Sequence, residues 1–369
     1  MKTYKLLTPG PLTTSDTVKK EMLFDHCTWD DDYKQITQNI RKELLSLAHV
    51  DDTEYTSVLM QGSGTFGVEC VISSVIPKDG CLLVLSNGAY GERIANMCKA
   101  QNIRYIEIKQ DYDKIPDVEK ARMAIKKHPE ITHIAMIHSE TTSGILNDIK
   151  TIGELAYAHG LNFIVDAMSS FGGVDIPMQE WHIDFLISSA NKCIQGVPGF
   201  SFIIAKRAEL MKAKGNARTL SLDLYDQWET MEKDGKWRYT SPTHVVLAFA
   251  KAMEELKEEG GIVARHQRYQ HNMDVLVEEF EKLGFQLYID KAYQGPIIAT
   301  FLYPKGKVFD FSRMYQYIKE RGYAIYPGKL TDKETFRIGV IGEIYEDDIR
   351  FLVALMKDYM ESVEQECVK

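Results

Sequence analysis

The chain is short of basic residues and of long apolar runs, and its cysteines form no framework. Lysine and arginine number 44 against 53 aspartates and glutamates, a formal charge of −9 over 369 residues. That balance gives no global attraction to phosphate backbones or anionic membranes, so neither nucleic acid nor a membrane is expected as a partner. The local basic spots at Lys126-Lys127-His128 and at Lys329 read as solvated faces. Apolar runs such as Ile134-Ala135-Met136-Ile137 fall far short of the roughly 18 residues that cross a bilayer. Met1 to Pro11 hold no apolar stretch of the roughly 7–15 residues that a secretory signal carries, and a soluble, cytoplasmic protein is expected. Cys27, Cys70, Cys81, Cys98, Cys193 and Cys367 stand at irregular spacings without a C-x-x-C pair, which favours free thiols over disulfides or a zinc site.

What is present is an ordinary folded composition, 44% hydrophobic and 26% charged. Between residues 56 and 205 short apolar strands alternate with helical stretches. Strands are expected at 56–60, 81–85, 104–108, 133–137, 162–165, 184–187 and 200–204, several apolar on both faces. The fold class is therefore α/β, with a mainly parallel, helix-flanked sheet. Residues 242–283 read as long helices broken at Gly260-Gly261. The pattern beyond Gly284 is α+β: strands at 285–289, 297–302, 323–326 and 335–338, a helix over 311–321 and a closing helix from Tyr345.

Three segments carry chemistry. Gly62-Ser63-Gly64-Thr65-Phe66-Gly67 lies between a strand and a helix, where free N–H groups and the helix dipole suit an anion, and Ser63 and Thr65 add hydroxyls. The same segment satisfies G-x-G-x-x-G, but Ser86-Asn87 stands where a dinucleotide fold wants an acid, and a turn packed without ligand remains open. Asp166 ends an apolar strand, at the sheet edge where open α/β proteins bind ligands, or else caps a turn. Lys192 stands alone in a small, uncharged stretch between two apolar strands. A buried lysine finds a carboxylate or lowers its pKa, and a free amine can bond an aldehyde as a Schiff base. Phosphate cradle, lysine and carboxylate are together what pyridoxal 5'-phosphate requires.

The chain also resembles a known family. The resemblance rests on Leu7-Thr8-Pro9-Gly10-Pro11, Gln61-Gly62-Ser63-Gly64-Thr65, Asn87-Gly88-Ala89-Tyr90-Gly91, His138-Ser139-Glu140-Thr141-Thr142-Ser143-Gly144, Asp166-Ala167-Met168-Ser169-Ser170, Ser189-Ala190-Asn191-Lys192-Cys193-Ile194-Gln195-Gly196, Ser221-Leu222-Asp223-Leu224-Tyr225 and Phe336-Arg337-Ile338-Gly339. Over nearly its whole length the chain is similar to the fold-type I, class V aminotransferases, enzymes dependent on pyridoxal 5'-phosphate.

That resemblance implies a large cofactor domain over 21–270 with a mainly parallel seven-stranded sheet, a small α+β domain over 271–369, and residues 1–20 packed on the small domain. It implies that Lys192 bonds the cofactor and then moves the proton, while Asp166 pairs with the ring nitrogen. Ser63, Gly64, Thr65 and Ser189 would hold the cofactor, Tyr90 would stack on its ring, and Thr142 would lie near its phenolic oxygen. Thr240 and Ser241 would reach in from the second subunit of a homodimer, and Arg337 would bind substrate. The implied reaction moves the amine of 2-aminoethylphosphonate to pyruvate, giving phosphonoacetaldehyde and L-alanine. A serine or alanine donor with glyoxylate or pyruvate is the alternative within the family, and a dinucleotide-binding protein is the alternative outside it.

The remaining conspicuous residues read blandly. His133 and His138 are five apart on one strand and point to opposite faces. His244 reads as a helix start and Asp30-Asp31-Asp32 as a solvated or capping run, with Trp29 a candidate for the substrate entrance. Cys193, although beside the lysine, does not sit on the kind of distant mobile loop that a desulfurase uses for its nucleophile.

Overall fold

A computed structural model describes residues 4–305, 309–330 and 333–368. Its strands begin with β1 (Lys5–Leu6), β2 (Tyr55–Gln61), β3 (Cys81–Ser86), β4 (Arg104–Lys109) and β5 (Ile131–Ile137). The short pair β6 (Ser139–Glu140) and β7 (Ile145–Leu146) follows, then β8 (Asn162–Asp166), β9 (Phe185–Ser189) and β10 (Phe200–Lys206). One seven-stranded sheet has the order β2-β10-β9-β8-β5-β3-β4. Within it β10 runs antiparallel to β2 and β9, and every other pairing is parallel, in agreement with the expected mainly parallel sheet.

Strands β3 and β9 are buried along their whole length because helices cover both faces of the sheet. The helix Gly64–Val75 buries Val68, Val71, Ile72 and Val75. Each such side chain contributes roughly 1.5–3 kcal/mol when fully removed from water. Since β10 alone is reversed, the C-terminal ends of β2, β3, β5, β8 and β9 share one edge. Gln61, Ser86, Ile137, Asp166 and Ser189 are therefore brought to the same rim.

The later strands are β11 (Gln286–Leu287), β12 (Ile298–Leu302), β13 (Tyr323–Ala324), β14 (Tyr326–Pro327) and β15 (Thr335–Gly339). A four-stranded sheet, β11-β12-β15-β14, packs with the helix Phe311–Glu320 and the long helix from Glu346 around a second core. Phe280, Phe285, Phe301 and Phe336 interlock there, with ring centroids from 4.7 to 6.4 Å apart. Leu7 belongs to the same core.

Two expected strands are altered. The segment 285–289 pairs over Gln286–Leu287, because Phe285 and Ile289 are given to buried packing. The single strand expected over 323–326 breaks at Ile325, which is buried in the second core. Tyr323–Ala324 pairs in parallel with β1, whereas Tyr326–Pro327 pairs antiparallel with β15. A segment that serves two sheets cannot keep one register.

Candidate active site

At the shared rim, a cavity of about 190 Å³ opens between the turn after β2 and the loop after β9. Its wall includes Ser63, Gly64, Thr65, Asp166, Ser189 and Lys192. The three segments singled out from the sequence thus meet. Gly62 adopts φ +117°, a conformation that L side chains rarely adopt, and this bends the chain sharply from β2 into the helix. Ser63 stands at that helix's N-cap, yet its side chain makes no capping bond. Its hydroxyl and the first-turn N–H groups of Gly64 and Thr65 are left facing the cavity, at the positive end of the helix dipole.

Asp166 ends β8 and is buried, its Oδ1 accepting from the Met168 N–H at 2.9 Å. Burial is the main cause that pushes its pKa up to about 6; the Met168 bond and the charges of Lys192 and Arg93 pull the other way, while Glu140 adds to the rise. Lys192, on the cavity wall, donates from Nζ to the Pro9 carbonyl at 2.7 Å. Burial holds that amine below the ordinary lysine value, against the opposing influence of Tyr90, Cys193 and Asp166. The Pro9 segment comes from the far end of the chain. Its path runs from β1 along β15, where the Gly339 N–H donates to the Leu7 carbonyl at 3.0 Å.

Tyr90 lies on the cavity wall at the start of the helix Ala89–Ala100. Arg93, one turn on, shares that face; its guanidinium stands 4.7 Å from the Tyr90 ring centre and donates to Thr65 Oγ1 at 3.1 Å. The i,i+3 spacing of Tyr90 and Arg93 on this helix is the signal in the sequence that brings the two side chains together. Glu140 is fully buried beneath this turn and accepts from the N–H groups of Tyr90, Gly91 and Thr142 at 3.0–3.2 Å, and from Thr142 Oγ1 at 2.6 Å. A carboxylate at a helix N-terminus is favoured by the dipole, and here it fixes where Tyr90 sits. Burial raises the Glu140 pKa above its ordinary value, against those hydrogen bonds and the charge of Lys329.

Of the two adjacent threonines, Thr141 lines the cavity, while the Thr142 hydroxyl is committed to Glu140 and to the Ala89 N–H. Arg337 lies just behind Thr141, donating from Nη1 to its carbonyl at 2.9 Å and from Nε to the Pro327 carbonyl at 3.0 Å. Thr240 and Ser241 do not reach the cavity of their own chain. Thr240 is exposed, and the Ser241 hydroxyl is hydrogen-bonded to the Tyr33 hydroxyl at 2.6 Å. His244 begins a helix, 3.1 Å from Asp25, and Trp29 lies under the Lys236 ammonium, away from the cavity wall. The Cys193 thiol points to the Ser169 carbonyl, and burial pushes its pKa up to about 12, so it is no nucleophile.

Comparison with known proteins adds to this geometry. The family model "Aminotransferase class-V" matches residues 26–336. The chain belongs to the class-V aminotransferases. A relative in Lysinibacillus sphaericus, named 2-aminoethylphosphonate–pyruvate transaminase, is 58% identical over 360 residues, 98% of both chains. A protein of the same name in Bacillus cytotoxicus is 55% identical over 95% of this chain and 96% of its own. Among solved structures, alanine–glyoxylate aminotransferase from Nostoc sp. superposes with a TM-score of 0.89 at 22% identity, covering 97% of this chain and 95% of its own. Pyridoxamine–pyruvate aminotransferase from Mesorhizobium loti gives 0.89 at 22%, over 99% and 93%. These two structures share the fold.

Proposed function

We propose that this aminotransferase moves the amine of 2-aminoethylphosphonate to pyruvate, releasing phosphonoacetaldehyde and L-alanine. The carrying observation is the cavity in which Lys192, Asp166 and the Ser63–Thr65 turn converge, in a chain 58% identical to a relative of that name. The cavity's own chemistry supports pyridoxal 5'-phosphate as cofactor. Ser139 and Ser189 both line it, and their buried hydroxyls have no hydrogen-bond partner among the described residues. Buried hydroxyls left unpaired are costly, so they await a polar group. Gly64, Thr65 and Ser63 would hold the phosphate, Asp166 the ring nitrogen, Tyr90 a ring face, and Thr141, in place of Thr142, the phenolic oxygen. Bound there, the cofactor supplies the aldehyde and the electron-accepting ring.

The chain's residues then divide the work. Lys192 Nζ, its pKa lowered by burial, would take the proton from the substrate carbon that bears the amine and hold it for return. Asp166 holds the ring nitrogen's proton. Pro9 and its neighbours exclude water from the amine. Arg337, whose guanidinium is bonded to two carbonyls and to no carboxylate among the described residues, is buried and awaits an anionic substrate. A second copy of the chain would complete the pocket with Thr240 and Ser241. In support, Phe66, Leu220 and Tyr239 are exposed by 52%, 75% and 49%. Phe66 and Tyr239 edge an apolar hollow with Gly62 on the far side of the phosphate turn.

The test is a screen of donors and acceptors with the aldehyde product identified. Phosphonoacetaldehyde and L-alanine are expected in equal amounts; preference for L-serine or glyoxylate overturns the choice of substrates. In Lys192→Ala the rate should fall by roughly a thousandfold or more, the scale of a lost acid–base group.

A further inference from the structure

We propose that Lys329 is a second substrate-binding cation, which joins Arg337 on the dianionic phosphonate of the donor and sets the preference for phosphonate over carboxylate. The proposal rests on the transaminase reading above and adds to it the basis of donor selection. From sequence Lys329 reads as a solvated basic spot. The fold puts it elsewhere. Strand β14 is held against β15 with Tyr326 opposite Arg337, and beyond it the Gly328 N–H donates to the Thr335 carbonyl at 2.8 Å. A Cβ at Gly328 would lie 2.1 Å from Thr335 Oγ1, so the chain is pressed flat there. The next residue is Lys329, and its Nζ stands 3.9 Å from the centre of the Tyr90 ring.

Lys329 and Arg337 thus approach the cavity wall from one hairpin, at Tyr90 and Thr141 respectively. Neither has a carboxylate within ion-pairing distance among the described residues. Glu140 is the nearby acid, but its oxygens are committed to the Tyr90, Gly91 and Thr142 N–H groups and the Thr142 hydroxyl. Burial would raise the Tyr90 phenol, yet the charges of Lys329 and Lys192, with hydrogen bonds from Lys329 and Thr141, outweigh it and leave the phenol below its ordinary value.

The arithmetic of charge then separates the two substrates. A carboxylate carries one charge and two oxygens, which a single guanidinium satisfies bidentately. A phosphonate carries three oxygens and, when fully ionised, two charges. It has one charge and one oxygen left over after Arg337. An ammonium on a flexible stem suits that remainder, being a compact point charge.

The experiment uses cofactor-loaded enzyme and two amine-free probes that cannot react, ethylphosphonate and propionate, with binding followed by calorimetry. In Lys329→Met, ethylphosphonate affinity should fall about tenfold, the worth of one charged hydrogen bond, while propionate changes less than twofold. The KM for 2-aminoethylphosphonate should rise with kcat little altered, and Lys329→Arg should restore both. Equal loss for both probes, which a prop beneath Tyr90 would give, overturns the proposal, as does unchanged ethylphosphonate binding. Wild-type enzyme that does not consume 2-aminoethylphosphonate sinks the transaminase reading instead, and the probe comparison still decides on Lys329.

Discussion

Asp166 and Asp184 both carry carboxyls that burial pushes up to about 6, and the same shift has two different consequences. A carboxyl whose folded pKa exceeds its unfolded value, about 3.9, adds stability below that value. The contribution is lost as pH rises through 6. Stability of the cofactor-free protein should therefore decline between about pH 4 and 6, as denaturant titrations at fixed pH would measure. Cofactor affinity should move the opposite way, since the ring nitrogen needs Asp166 ionised, and should weaken as pH falls below about 6. Asp166→Asn should remove the affinity step and leave the contribution of Asp184, whose Oδ2 accepts from the Phe163 N–H at 2.8 Å. An affinity step that persists in the variant refutes the assignment. Lys192, Asp166 and the Ser63–Thr65 turn were legible in sequence because each sits where a strand pattern ends, and strand ends of a parallel sheet share a rim. Thr141 against Thr142 was not legible, since adjacent residues after a strand face opposite ways and spacing does not say which faces inward. Where Lys329 lies was not legible, because its place depends on β14 folding back against β15.

Elements of regular pattern were read from sequence to within a residue or two; those held by distant partners were not. The strands at 81–86 and 200–206 carry apolar runs that no other arrangement buries as well. The break at Ile325 has no local mark, since it follows from β1 arriving beside Tyr323. The N-terminal segment is itself held by close contact. A Cβ at Gly339 would lie 2.4 Å from the Thr8 carbonyl group, backbone that has nowhere to move. Gly339→Ala should therefore lift residues 7–9 off β15 and cost about 1–3 kcal/mol, as overpacking does. At 2–4 °C per kcal/mol, Tm should drop by roughly 2–12 °C. Activity measured well below Tm should fall too, as Pro9 leaves the Lys192 amine. A variant with wild-type melting and rate would show that the contact is dispensable.

For the whole molecule, shared pockets make a prediction that separate pockets do not. Lys192→Ala destroys the pocket of its own subunit, whereas Thr240→Asp, a charge at an exposed site, should spoil the phosphate site of its partner. If the pockets are shared across a dimer, half the dimers formed on equal co-expression would be mixed, and each mixed dimer would keep one intact pocket out of two. About a quarter of wild-type activity should return from two parents that each have almost none. Failure to complement, with mixed dimers confirmed by mass, would place Thr240 outside the partner's site.

The pairing of β1 with β13, and of Leu7 with Gly339, also orders events in time. Residues 5–7 wait for residues 323–339 before they have that strand to rest on. A nascent chain halted short of Tyr323 offers Lys5 and Leu6 no docking strand, so Pro9 cannot roof the lysine. The Lys192 amine gains its roof only once the segments around Tyr323 and Gly339 are in place.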